Sequence, residues 1–192
     1  MTTGRGWFCA AWALLVGLVA GPGAAEAPRM VEAGRVLAVV EGNWRNAGPE
    51  RAVLVLGREA ADLYIYGAAP GFGGSSLLAE ARGIAWTGGM FGTRPSLDLA
   101  ASGSLQVISQ NTAIGRHRWR RVLTIAHRDG AYRIAGFTYE AYDTLDPAGE
   151  VACDVNLLTG RGVRNGIGFR TRASALPVAD WSEMAEPAAC FD

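Results

Sequence analysis

The chain has 192 residues, with 18 basic side chains (all arginine, no lysine) balanced by 18 acidic ones, so its formal charge is zero. That balance excludes a global field drawing it to nucleic acid or anionic lipid, and the length suits one domain with a proper core. Only two histidines and three cysteines leave little material for a metal centre.

The N-terminus reads "MTTGRGWFCAAWALLVGLVAGPGAAEAP". A basic start at Arg5, an apolar run over 7–20, and Gly21-Pro22-Gly23 before small residues follow the three-part grammar of a secretory signal. Residues 1–25 are read as a signal peptide cut after Ala25. The run is shorter than the ~20 apolar residues a membrane span needs, and Cys9 leaves with the signal. A periplasmic or secreted location is expected, with no membrane span after cleavage.

Residues 26–176 are read as a β-rich domain and 177–192 as a C-terminal tail. Only 31–41, "VEAGRVLAVVE", is ambiguous between helix and strand. "RAVLVLG" (51–57) and "ADLYIYG" (61–67) are rich in β-branched and aromatic residues. "GFGGSS" (71–76) is read as a loop, since nothing suggests that it opens a helix able to hold phosphate. "SLLAEARGIAW" (76–86) and "SLDLAASGSLQVISQ" (96–110) continue the strand rhythm, the latter with a hairpin turn at 101–104.

The clearest element is "HRWRRVLTIAHRDGAYRIAGFTYEAY", whose Asp129-Gly130 predicts a two-residue hairpin turn. An unbroken ladder from that turn sets Arg128 opposite Ala131, His127 opposite Tyr132 and Ile125 opposite Ile134. It continues with Arg121 opposite Thr138, Trp119 opposite Glu140 and His117 opposite Tyr142. Arg116, Arg118 and Arg120 then share one face, near Tyr139, and His117, Trp119 and Arg121 share the other. "EVACDVNLLTG" (150–160) and "GIGFRTR" (166–172) supply further strands. Many short runs between glycine-rich turns predict an all-β fold, a single antiparallel sandwich or barrel-like sheet with few or no helices.

Cys153 and Cys190 remain after signal cleavage. An even pair in an exported chain suggests a disulfide tying the tail to a strand. It would contribute about 3–4 kcal/mol in the chain-entropy view. Free thiols or a metal pair are the alternatives.

Catalytic and binding patterns are sparse. No Gly-x-Ser-x-Gly elbow, phosphate loop or zinc spacing occurs. Glu140, Asp143 and Asp146 cluster near a strand end and could do acid–base work, although "YDTLDPAGE" (142–150) reads first as a turn. In "EGNWRNAGPERAVLVL" (41–56), glycines precede a strand as in a calcium loop, but Asn43, Arg45, Ala47 and Arg51 stand at the oxygen-donor positions. No metal or cofactor is expected, and nucleic acid is not expected as a partner.

Residues 40–165 resemble a group of small secreted bacterial proteins. These pair an Asp-rich repeat of the FG-GAP/VCBS type with a β-rich C-terminal half. The likeness rests on the degenerate loop at 42–56, "GGMFG" (88–92), the hairpin segment and "VNLLTGRG" (155–162), in that order. It implies export, a β fold and a structural role for Trp119, and supplies no catalytic residue. The expectation is an exported, non-catalytic β-domain binding a protein or an envelope glycan through Arg116, Arg118, Arg120 and Tyr139. The alternative is a hydrolase of an envelope polymer acting through Glu140 with Asp143 or Asp146.

Overall fold

The computed structural model describes residues 32–69, 74–90 and 92–191. The expected signal peptide, residues 71–73 of the glycine-rich stretch and position 91 of "GGMFG" lie outside them. Among the described residues there are eleven strands, joined by turns and a few short 3-10 segments. They are β1 (Val36–Gly42), β2 (Glu50–Leu56), β3 (Ala60–Ala68), β4 (Ser75–Trp86), β5 (Ser96–Leu99) and β6 (Leu105–Asn111). After these come β7 (His117–Arg128), β8 (Ala131–Asp143), β9 (Val151–Asn156), β10 (Arg161–Arg164) and β11 (Ile167–Arg170).

Within each sheet every strand pairs antiparallel with its sequence neighbours, giving a short sheet β1-β2-β3-β4 and a long one running from β5 to β11. The sheets are not closed into a barrel. Their inner faces share one core, Leu54, Leu63 and Ile65 from the short sheet meeting Leu123, Ile134 and Phe137 from the long one. Alternation accounts for it: Ala61, Leu63 and Ile65 of β3 point inward and are sealed from solvent, while Asp62 between them faces out and receives Arg82 and the Gly83 amide. The described part of the ambiguous stretch 31–41, from residue 32, resolves as a 3-10 turn, Ala33–Arg35, leading into β1, whose valines pair with β2.

The Asp129-Gly130 turn forms with positive φ at both residues, 50° and 75°, the mirror-image turn that suits strand twist. From it the ladder runs as expected through Arg128↔Ala131, His127↔Tyr132 and Ile125↔Ile134. There it slips. Thr124 pairs with Gly136, so Ala135 is an extra residue on β8, a bulge. Two backbone bonds accommodate it: the Ile134 amide donates to Leu176 O, and Ala135 O accepts from the Leu157 amide. Beyond the bulge Arg121 faces Tyr139, Trp119 faces Ala141 and His117 faces Asp143, one residue away from the unbroken ladder. Tyr139 therefore shares a face with Trp119 and Arg121, and not with Arg118 and Arg120.

The long sheet has seven strands against four, so part of its inner face lies beyond the short sheet. The C-terminal segment covers that part. It forms three short 3-10 turns, at Val178–Asp180, Glu183–Ala185 and Ala188–Cys190. Val178, Trp181 and Cys190 are buried, and Trp181 packs on Phe137 with ring centroids 6.3 Å apart. Cys190 is bonded to Cys153 of β9 across 37 residues of chain. The tail thus belongs to the core.

Candidate functional site

The far end of the β7–β8 hairpin carries a groove on the inner face of the long sheet. Here the inward row is no longer aliphatic: Ile125 and Leu123 give way to Arg121, Trp119 and His117, opposite Phe137, Tyr139, Ala141 and Asp143. Trp119 is half-buried and meets Trp86, the last residue of β4, with centroids 5.3 Å apart at 57°. Phe191 from the tail leans on Tyr139 at 4.7 Å. Aromatic rings from four segments, β4, β7, β8 and the tail, therefore converge on one place.

Two clefts open there and meet at Trp119 and Tyr139. One, of about 420 Å³, lies between the strand ends and the 146–149 turn, and includes His117, Asp143 and Asp146. The other, of about 210 Å³, is walled by Trp86, Arg121, Glu186 and Phe191. Rings forming the body with a few placed polar groups is the usual make-up of a small-ligand site.

Two ion-paired clusters brace this groove. Arg121 is buried at 7 % exposure, an arginine on a core-facing row, which requires partners. Its Nε donates to Ser109 Oγ at 3.2 Å, its Nη1 donates to Glu186 and reaches Glu183, and its guanidinium lies 5.8 Å from the Trp119 ring centroid. Burial pushes the Glu186 carboxyl above the ordinary carboxylate value; Arg121 opposes the rise and Glu183 adds to it. Burial also raises the Tyr139 phenol, with Glu186 adding to the effect. At the other end, Arg116 Nε donates to both Asp143 oxygens at 2.8 and 2.6 Å, and the Leu145 amide donates to the same carboxylate at 2.9 Å. Arg116 first and Leu145 second hold Asp143 below the usual carboxylate range. His117 Nδ1 sits 3.4 Å from it.

The residues expected from sequence divide between two faces. Tyr139, Asp143 and Asp146 line the groove, and Arg116 braces its rim through Asp143. Arg120 faces Glu140 across the ladder on the opposite side of the sheet, Nη1 lying 3.8 Å from its carboxylate. Arg118 is half-buried and also lines the larger cleft, with Nη1 enclosed and lacking a hydrogen-bond partner. Alternation sets Glu140 on the face away from Asp143, so the two carboxylates do not share a centre. His127 lies at the other end of β7, edge-on to Tyr132.

A second polar cluster gathers around Glu50, at the end of the 43–49 loop. Glu50, 2 % exposed, accepts from the Trp44 amide at 2.7 Å, the Arg45 amide at 3.3 Å and Tyr132 Oη at 2.8 Å, and is ion-paired with Arg45. The loop folds around a carboxylate that the guanidinium of Arg45 neutralises, and Tyr132 joins it to the other sheet.

Comparison of the chain with protein-family models, with curated proteins and with solved structures finds no match. The chemistry is accordingly read from geometry alone.

Proposed function

We propose that the protein is an exported, non-catalytic β-domain whose partner, a protein or an envelope glycan, seats in the groove around Trp119 and Tyr139. The observation that carries this is the convergence of Trp86, Trp119, Tyr139 and Phe191 on two joined clefts. Those rings come from β4, β7, β8 and the tail, and hydrophobic collapse alone would have favoured sealing them. The leader at 1–25 supports export.

Two observations favour binding over the hydrolase reading. Glu140 and Asp143 project to opposite faces of the sheet. Asp143 is committed to Arg116 and held ionised, which makes it a poor proton donor and a weak base near neutral pH. The degenerate FG-GAP/VCBS-like loop enters the proposal as a scaffold element closed by Glu50 and Arg45.

Crosslinking capture from the native envelope tests the reading with three folded proteins: the mature chain, Trp119→Ala, and Arg120→Ser. Capture should survive the Arg120 change and fall at least tenfold in Trp119→Ala. Capture that follows Arg120 instead, or is absent throughout, would overturn the groove as the seat.

A further inference from the structure

The β10–β11 hairpin ends the long sheet, and none of its residues lines either cleft of the groove. Among the described residues β11 pairs only with β10. We propose that the free edge of β11 takes up an extended acidic segment of a partner protein as an added strand.

The edge is firmly built. The Asn165-Gly166 turn makes Arg164 and Ile167 a hydrogen-bonded pair, and alternation makes Gly162 and Phe169 the next one. The Thr171 amide donates to Gly160 O at 2.9 Å and keeps the same phase. Ile167, Phe169 and Thr171 therefore direct their amides to β10, while Gly168 and Arg170 turn theirs, with their carbonyls, outward. Asn165 pins the turn to the start of β9: its Oδ1 accepts from the Ala152 amide at 2.7 Å and its Nδ2 donates to Glu150 O at 3.1 Å. The Phe169 ring lies over Gly162, where it leaves no room for a Cβ, and packs on the core.

Charge selects the occupant. Arg161 and Arg170 are both exposed and stand opposite each other as a non-hydrogen-bonded pair, the kind whose Cα atoms approach to about 4.5 Å. Their row continues through Asn156 and Gly136 and holds no acid. Arg172 follows, also exposed, and among the described residues none of the three side chains has an ion pair or hydrogen bond. Like charges opposed across a ladder are destabilising, so an arriving carboxylate relieves a repulsion that the fold already carries. Charged edges turn away other edges. A second copy of this chain would add more arginines to the same face, whereas an acidic strand complements them.

Gly168 sets the pattern. It lies mid-strand in regular register, with φ outside the left-handed region, and a Cβ there would meet nothing within 4 Å. No turn, bulge or close neighbour among the described residues requires a glycine, but the approach of another backbone does. In an antiparallel added strand, a carboxylate facing Arg170 puts the residue two positions later over Gly168. A ring there has room against Val163, which is 48 % exposed. The implied pattern is acid-x-aromatic, with a further acid upstream for Arg172. A phosphate or lipid headgroup would use the arginines alone; the outward amides and the opening over Gly168 suit a peptide backbone.

The test titrates the mature, disulfide-intact protein into a labelled, capped peptide, Thr-Glu-Val-Glu-Val-Tyr-Val-Thr, followed by fluorescence anisotropy. The peptide should bind saturably. Gln for both Glu, N-methylation of the second Glu and the Tyr, or Arg161→Ser with Arg170→Ser should each weaken it about tenfold or more. Arg161→Glu with Arg170→Glu should instead take up the peptide carrying Lys for Glu, with circular dichroism unchanged in both variants. Trp119→Ala should leave the affinity unaltered, so this edge and the groove stand or fall separately.

Absence of saturable binding, or binding indifferent to the two arginines, overturns the proposal. Binding that tolerates N-methylation does so too, since loose charge attraction would then account for it. Recruitment to phosphatidylglycerol vesicles through Arg161 and Arg170, with the peptide unbound, would assign the edge to a lipid surface instead. Dimerisation of the free protein that is lost in Arg170→Ser would assign it to a second copy.

Discussion

Glu50 opens β2 almost sealed from solvent, and its four donors come from the preceding loop and the other sheet: the Trp44 and Arg45 amides, the Arg45 guanidinium and the Tyr132 hydroxyl. Burial pushes this carboxyl upward, yet the Arg45, Tyr132 and backbone bonds together outweigh it and leave the group below its ordinary value of 4.5. With that sign, the unfolded chain binds this proton more readily than the folded one. Glu50 therefore contributes stability above about pH 4.5, which is lost as the pH falls through its depressed folded value. Glu186 has the opposite sign. Its raised carboxyl takes up a proton first in the folded state, so acidification toward 4.5 relieves the cost of burying its charge. Glu50→Ala strands a guanidinium, a phenol and two amides, and should cost about 3–5 kcal/mol in a denaturant titration at pH 7. Its acid-unfolding limb should also be shallower than that of the unaltered protein. A loss under ~1 kcal/mol would show that water serves those donors equally well. In the sequence, Arg45 reads only as a residue that defeats cation binding; its partner could not be seen, because Tyr132 lies 82 positions from Glu50.

The β7–β8 hairpin shows where a strand pattern is legible and where it stops being so. Asp129-Gly130 is a local signal, and the turn and the first pairs follow from it. A bulge is set instead by what packs on both sides of β8, here Leu176 on one and Leu157 on the other, neither of which is local. One clue was present: Ile134 and Ala135 are consecutive apolar residues, and both are buried, which strict alternation forbids. A similar signal, Asn165-Gly166, closes the β10–β11 hairpin with positive φ at both residues, although β10 itself is too short and polar to read as a strand. The bulged register makes a direct prediction. Cysteines at 120 and 140 are directly opposed and should crosslink on mild oxidation, whereas cysteines at 120 and 139 should not, since their side chains leave opposite faces of the sheet. Efficient crosslinking of the second pair would restore the unbroken ladder and move Tyr139 out of the groove.

At the scale of the molecule, an all-β antiparallel sandwich was readable from composition, β-branched runs and turn residues, because strand alternation is a local property. The groove was not, because it depends on a mismatch between a four-stranded sheet and a seven-stranded one. The inner face left over is closed by the tail, whose Phe191, Glu186 and Glu183 furnish one wall. A polar, loosely patterned C-terminus gives little sign of that task, apart from Trp181 and Cys190. The Cys153–Cys190 bond holds this wall in place, and restricting a loop of 37 residues is worth about 4 kcal/mol in the chain-entropy view. Arg121 was the best available hint, an arginine in the inward row of a strand and therefore in need of an acid from elsewhere.

The most direct measurement places a photo-crosslinking phenylalanine analogue at either of two sites in the protein and irradiates the producing cells. Phe191, 46 % exposed, forms a wall of the groove, while Val39, 49 % exposed, lies on β1 of the short sheet away from it. Adducts from position 191 alone, abolished by Trp119→Ala, are the expected result. Equal labelling from both positions, or adducts from Val39 only, would contradict the groove as the place where this protein meets its partner.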